Sequence, residues 1–211
     1  MELGLILSFI GTSVILSLMP GPDNIFVLTE SITKGHRNGI AISIGLCIGV
    51  LVHTTAAATG LSIIIQKSAV AFSVLKYLGA IYLFYLAYKA MKEKKPVLNF
   101  DLVLSSINEK TKFSSLIKKG FLMNVLNPKV SLFFIAFLPQ FTTIGGINIT
   151  IQLIILGLIF MLQALLVFSS ISILSSKMTK YVNNSKFWKI TKWSKISVLT
   201  ILGLSLALSE K

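Results

Sequence analysis

Residues 3–24 read LGLILSFIGTSVILSLMPGPDN. Up to Met19 the run is apolar and uncharged, and continued it would cross a membrane. Pro20 and Pro22 stop it. Each lacks a backbone donor and its ring clashes with the preceding turn, so a helix here must break or bend. Inside lipid, backbone groups freed by a break are tolerated only where protein buries them or where they line a wet cavity. Asp23, one of two aspartates in the chain, and Asn24 follow at once. A broken helix with an ionisable group at membrane depth points to a transport site.

The rest of the chain fits a membrane setting. Of its 211 residues, 54% are hydrophobic and 13% charged, and the mean hydropathy is +0.84. A soluble domain carries about a quarter charged residues. The apolar residues also come in runs long enough to span a bilayer, about 20 residues each. The expected fold is therefore an all-α polytopic membrane protein, a single transmembrane domain over residues 1–211. Cys47 is the only cysteine, which excludes an internal disulfide framework and reads as a small buried apolar residue. The net charge of +13 does not imply a nucleic-acid partner, because the lysines lie between apolar spans. It implies topology and contact with anionic lipid headgroups at the cytoplasmic face. Glu2 stands where a signal peptide has its basic segment, and no small-residue cleavage site follows, so a cleavable leader is not expected.

Hydropathy gives six spans: Leu3–Thr33, broken at Pro20–Pro22; Gly39–Gln66; Ala69–Met91; Gly120–Phe141, interrupted by Asn127-Pro128-Lys129; Thr150–Ser176; and Phe187–Leu208. The first, third and fifth loops then share one side. They hold sixteen of the 20 lysines and arginines: Lys34 and Arg37 in the first, eight lysines between Lys89 and Lys119 in the third, and six between Lys177 and Lys195 in the fifth. Only Lys67 and Lys211 fall opposite. Basic loops stay in the cytoplasm, which places both termini outside. The polar stretch 92–119 reads as a cytoplasmic linker between two three-helix halves, 1–91 and 120–211. An odd number of helices per half inverts the second half relative to the first, and each half then leads with a proline-broken helix, the pattern of an inverted-repeat transporter.

Few residues in the spans can carry chemistry. A half-helix starting after Pro22 aims its amides and positive dipole end at the break, where they can hold a carboxylate. Asp23 either caps that half-helix or takes up a proton, and the two roles are compatible. Lys129 sits well inside its span. It either faces the bundle interior, to pair with Asp23 or a substrate carboxylate, or snorkels to the edge. Asn127 is placed to satisfy the carbonyl that Pro128 frees. His53, midway along the second span, either shuttles protons or bonds a neighbouring helix. Pro139-Gln140 reads as a kink and stop. Gln152 and Gln163 read as interhelical glue. Gly35/Gly39 and Gly45/Gly49 have the spacing that lets helix backbones approach, and only the second pair lies well inside a span. The chain has no H-E-x-x-H, no G-x-S-x-G and no Walker-type loop, so neither an enzyme nor an ATP-driven pump is expected.

Taken together these residues resemble the LysE/RhtB family of bacterial amino-acid exporters. The likeness runs through Pro20-Gly21-Pro22-Asp23-Asn24, Lys34-Gly35-His36-Arg37-Asn38-Gly39, Gly49 to His53, and Leu78-Gly79-Ala80-Ile81-Tyr82-Leu83. It continues in Gly120-Phe121-Leu122-Met123-Asn124, Asn127-Pro128-Lys129 and Phe137-Leu138-Pro139-Gln140-Phe141, while the last two spans agree in hydropathy only. The resemblance implies efflux of an amino acid or related small metabolite across the bacterial cytoplasmic membrane. It implies coupling to the proton-motive force, without ATP and without a cofactor. Related families export metal cations such as cadmium, but Asp23, Glu30 and the lone Cys47 make a poor soft-metal site, so no metal site is assigned and an organic zwitterion is preferred. A channel of the same fold and a non-transporting scaffold subunit are the other readings. The expected site comprises Pro20, Gly21, Pro22, Asp23, Asn24, His53, Asn127, Pro128 and Lys129. Small-residue stripes can pack helices within one protomer or between two, which leaves a homo-oligomer open.

Overall fold

The computed structural model describes residues 1–93, 112–143, 146–182 and 184–209, with 178–182 as backbone only. Among them there is no strand. The helices are α1 (Leu3–Leu18), α2 (Pro22–Lys34), α3 (His36–Lys67), α4 (Ala69–Lys92), α5 (Phe113–Val125), α6 (Pro128–Phe141), α7 (Ile149–Val182) and α8 (Ser185–Leu208). α1 meets α2 at a 60° bend, and α5 meets α6 at 49°. Four helices, α3, α4, α7 and α8, are long and apolar enough to cross a membrane, and there are six spans if each bent pair counts as one.

Local sequence explains most of the ends. Pro22 and Pro128 occupy first-turn positions, where a missing amide costs nothing. Gly35 has φ +89°, a backbone that side chains rarely adopt, and it turns the chain from α2 into α3. Ser68 Oγ accepts from the Ala71 amide at 3.1 Å and starts α4. Asn184 Oδ1 does the same for α8 with Lys186 N at 2.8 Å.

One boundary differs from the sequence expectation. The fourth apolar element begins at Phe113, not Gly120, so residues 113–119 of the stretch read as linker are helical. Leu116 supplies the reason. It is buried with Gly120 and Asn124, one turn apart each, while Lys118 and Lys119 take the exposed face. The remainder of the expected linker, 94–111, lies outside the described residues.

α3 is the centre of the bundle and packs on α5 and α7. Gly45 and Gly120 make this possible: a Cβ on Gly45 would run into the backbone of Ile117 and Phe121, and one on Gly120 into the backbone of Ile42 and Leu46. Gly49 lies against Asn124 in the same seam, so the Gly45/Gly49 pair packs as expected. Gly39 packs too, against Ser31 and Ser172, because α3 starts three residues earlier than hydropathy suggested. α4 and α8 form a peripheral pair. Their outer faces carry Val70, Tyr77, Ile81, Ile190 and Ile201, all exposed, as suits contact with lipid. Buried Lys76 on α4 donates to the Ser209 carbonyl at 2.7 Å and closes the end of α8.

Towards one end of the bundle six phenylalanines close on each other: Phe9, Phe133, Phe134, Phe137, Phe141 and Phe160. Their ring centroids lie 5.2 Å apart for Phe9–Phe141, 5.3 Å for Phe133–Phe160 and 5.5 Å for Phe133–Phe137. A π-helical turn, Phe133–Phe137, presents three of these rings. The opposite end carries the basic residues Lys34, Arg37, Lys92, Lys118, Lys119, Lys186 and Lys189.

Candidate transport site

Each proline strips a donor from the carbonyl four residues before it. For Pro20 that carbonyl belongs to Leu16. The Lys129 ammonium donates to it at 3.3 Å and to the Met19 carbonyl at 3.4 Å. Asn24 Nδ2 donates to the neighbouring Ser17 carbonyl at 2.8 Å. For Pro128 the stripped carbonyl is that of Asn124. It accepts the Asn127 amide at 2.9 Å and lies 3.1 Å from His53 Nε2, reached across from α3. The two breaks are also joined directly. Asn127 Nδ2 donates to Asp23 Oδ2, and both residues are buried, Asp23 to 2% exposure.

The structure therefore brings eight of the nine expected residues to one junction. Pro20, Gly21, Pro22, Asp23 and Asn24 form one side, and Asn127, Pro128 and Lys129 the other. His53 touches only the second break. Three roles differ from the sequence expectation. Asp23 does not cap α2: Gly21 is the N-cap residue, and the Asp23 carboxylate accepts from Asn127. It still lies in the first turn of α2, where the helix dipole favours a negative charge. The Asn127 side chain does not satisfy the carbonyl freed by Pro128. Its Oδ1 accepts from the Lys129 amide at 3.0 Å and starts α6, while its own amide and His53 serve that carbonyl. Lys129 points into the bundle, but onto backbone carbonyls. The ion pairs among the described residues are Lys34–Glu30 and Lys195–Glu93.

Polar residues that the sequence reading passed over complete the site. Ser13 and Ser17 lie one turn apart on the buried face of α1, a polar pair at helical spacing inside an apolar run. Gln163 Nε2 on α7 donates to Ser17 Oγ at 2.9 Å, the interhelical bond expected of it. Gln152 behaves otherwise: it bonds the carbonyls of Thr143 and Ile147 and so folds back onto the connection before its own helix. Around the first break, Ser13 Oγ, Asn24 Oδ1 and Gln163 Oε1 are buried with no hydrogen-bond partner. Buried polar atoms almost always have one, and each unpaired group costs about 1–3 kcal/mol. Among the described residues no three His, Cys, Asp or Glu side chains gather.

Residues 14–210 match the family model LysE type translocator. The chain belongs to the LysE type translocator family. This makes it a multi-pass membrane transporter. Among curated proteins, the "Uncharacterized membrane protein YrhP" of Bacillus subtilis (strain 168) is 33% identical over 205 residues, covering 95% of this chain and 96% of that protein. An "Uncharacterized membrane protein" of Vibrio cholerae is 29% identical over 141 residues, 67% of this chain and 66% of that protein. No solved structure matches the chain. Both proline breaks of this LysE-type translocator fall inside the matched range.

Proposed function

We propose that this protein exports an amino acid or a related small metabolite across the bacterial cytoplasmic membrane by proton antiport. The observation that carries the reading is the junction of the two breaks. A buried carboxylate on α2 is bonded to Asn127 at the head of α6, and a lysine from α6 occupies the carbonyls that α1 leaves free.

The arrangement suits an alternating mechanism. The cargo's carboxylate docks at Lys129 and at the amides that start α2, and its ammonium at Asp23 and the unpaired carboxamide oxygens. The Lys129 bonds, at 3.3 and 3.4 Å, are longer than the usual 2.7–3.2 Å range, so an incoming carboxylate displaces little. A proton arriving at Asp23 removes the charge that holds the cargo ammonium and weakens the bond from Asn127, which is no longer charge-assisted. The looser tie between the two breaks lets the two three-helix halves, 1–91 and 120–211, rock as an inverted pair. Both termini then lie outside, with the lysine-rich connections in the cytoplasm.

The test is efflux from cells loaded with amino acids as dipeptides. Cells with the protein should lose one or a few amino acids faster than cells without it, and a protonophore should remove the difference. Faster loss that ignores the protonophore would replace antiport by a channel. Identical loss across the panel would end the amino-acid reading.

A further inference from the structure

A cavity of about 520 Å³ opens at the basic end of the bundle, between the first break and α8. Pro20-Gly21-Pro22 form one wall. The facing wall is α8, which presents Trp188, Lys189, Lys192 and Lys195. Lysines at this three-residue spacing share one face of a helix. They are thus part of a built surface, unlike lysines scattered through a connection. Among the described residues, Glu93, at the end of α4, is the one acidic side chain in the lining. It is already engaged: Lys195 donates to both carboxylate oxygens at 2.7 and 2.9 Å, and Lys192 to its carbonyl at 3.0 Å. Lys189 is exposed and without a partner among the described residues. Behind the opposite wall, Lys129 Nζ lies 3.6 Å from where a Cβ on Gly21 would stand.

We propose that this cavity is an anion-accepting vestibule that admits solutes through a free carboxylate and disfavours cargo of net positive charge. Among the described residues, three lysines against one engaged glutamate leave an excess of positive charge in a concave space, where field lines focus and raise the local anion concentration. The vestibule stands on its own geometry, whereas the statement about cargo rests on the export reading. A lipid phosphate shares the chemistry of a solute carboxylate, but the position of the cavity against the first break favours the solute.

Trp188 makes a reporter of the cavity, since Trp193 is the only other tryptophan. With each quenching constant referred to that of N-acetyltryptophanamide in the same salt, Trp193→Phe protein in phosphatidylcholine nanodiscs should be quenched by iodide at least about threefold more strongly than by caesium. At matched ionic strength, glutamate should reduce the iodide quenching and lysine should not. Adding Lys189→Glu should bring the two quenching constants to within about twofold of each other. Equal quenching before that substitution, or equal protection by lysine and glutamate, overturns the vestibule. Loss of glutamate protection when phosphatidylglycerol is included assigns the cavity to a headgroup and overturns the solute. In dipeptide-loaded cells, lysine or arginine leaving as fast as glutamate or glutamine overturns the cargo statement. Selective quenching with no amino-acid efflux supports the vestibule and refutes the export reading.

Discussion

At Pro128 the carbonyl that loses its donor recovers two: a backbone amide three residues on at 2.9 Å, and the imidazole of His53. At Pro20 the corresponding carbonyl has a lysine ammonium at 3.3 Å, brought from the other half of the sequence. The second break is repaired largely from within its own turn, at short distance. The first is repaired by a flexible charged side chain, at long distance, beside buried oxygens with no partner. Two prolines and a 60° bend leave more unsatisfied backbone than one proline and 49°. Of the two, the first break is the less tightly repaired, and the second carries the lysine that repairs it.

The largest expected effect comes from the residue that both breaks share. Asp23→Asn keeps the shape and a partner for Asn127 but removes the charge. Protonophore-sensitive efflux should fall to the level of cells without the protein, at unchanged amounts in the membrane. Efflux like that of the parent would remove Asp23 from the coupling step.

Lys129→Met comes next. It keeps the stem and removes the donor for Leu16 and Met19, and an unsatisfied buried group costs about 1–3 kcal/mol. Efflux should be lost and the melting temperature of purified protein should drop, while Lys129→Arg should restore the melt more fully than the flux. Parental transport by Lys129→Met would reverse the ranking of the two breaks. His53→Leu should do least. The Asn124 carbonyl keeps its amide bond, so the loss is that of one ordinary hydrogen bond, about 0.5–1.5 kcal/mol, and efflux should persist. A defect as deep as that of Lys129→Met would erase the distinction and give His53 a place in the proton path.

The breaks themselves were legible because proline announces a missing donor wherever it occurs. Asp23 and Lys129 were legible because a charge inside an apolar run is conspicuous. The seam at Gly45 was legible from spacing alone. What the sequence did not disclose is who answers each vacancy. Leu16 is served by a residue 113 positions away, and Asn124 by one 71 positions away. Separation on that scale is a property of packing, not of local pattern. For Asp23 the sequence left two roles open, and the cap is set aside only because Asn127 arrives from the other half as its partner. The early start of α5 was hidden by Lys118 and Lys119, whose charges mask the buried Leu116 beside them.

The six phenylalanines on the far side of the junction have a consequence for pace. The cavity opens at the basic end, and at the other end Phe9 meets Phe141 and Phe134 meets Phe160 edge to face. Each buried ring contributes about 1.5–3 kcal/mol, and each favourable ring pair about 0.5–1.5 more. A seal of this kind has no hydrogen bonds to match against a visitor, so it cannot tell one solute from another. In the proposed export cycle these rings would have to part for any cargo, so the time that takes would be common to all of them.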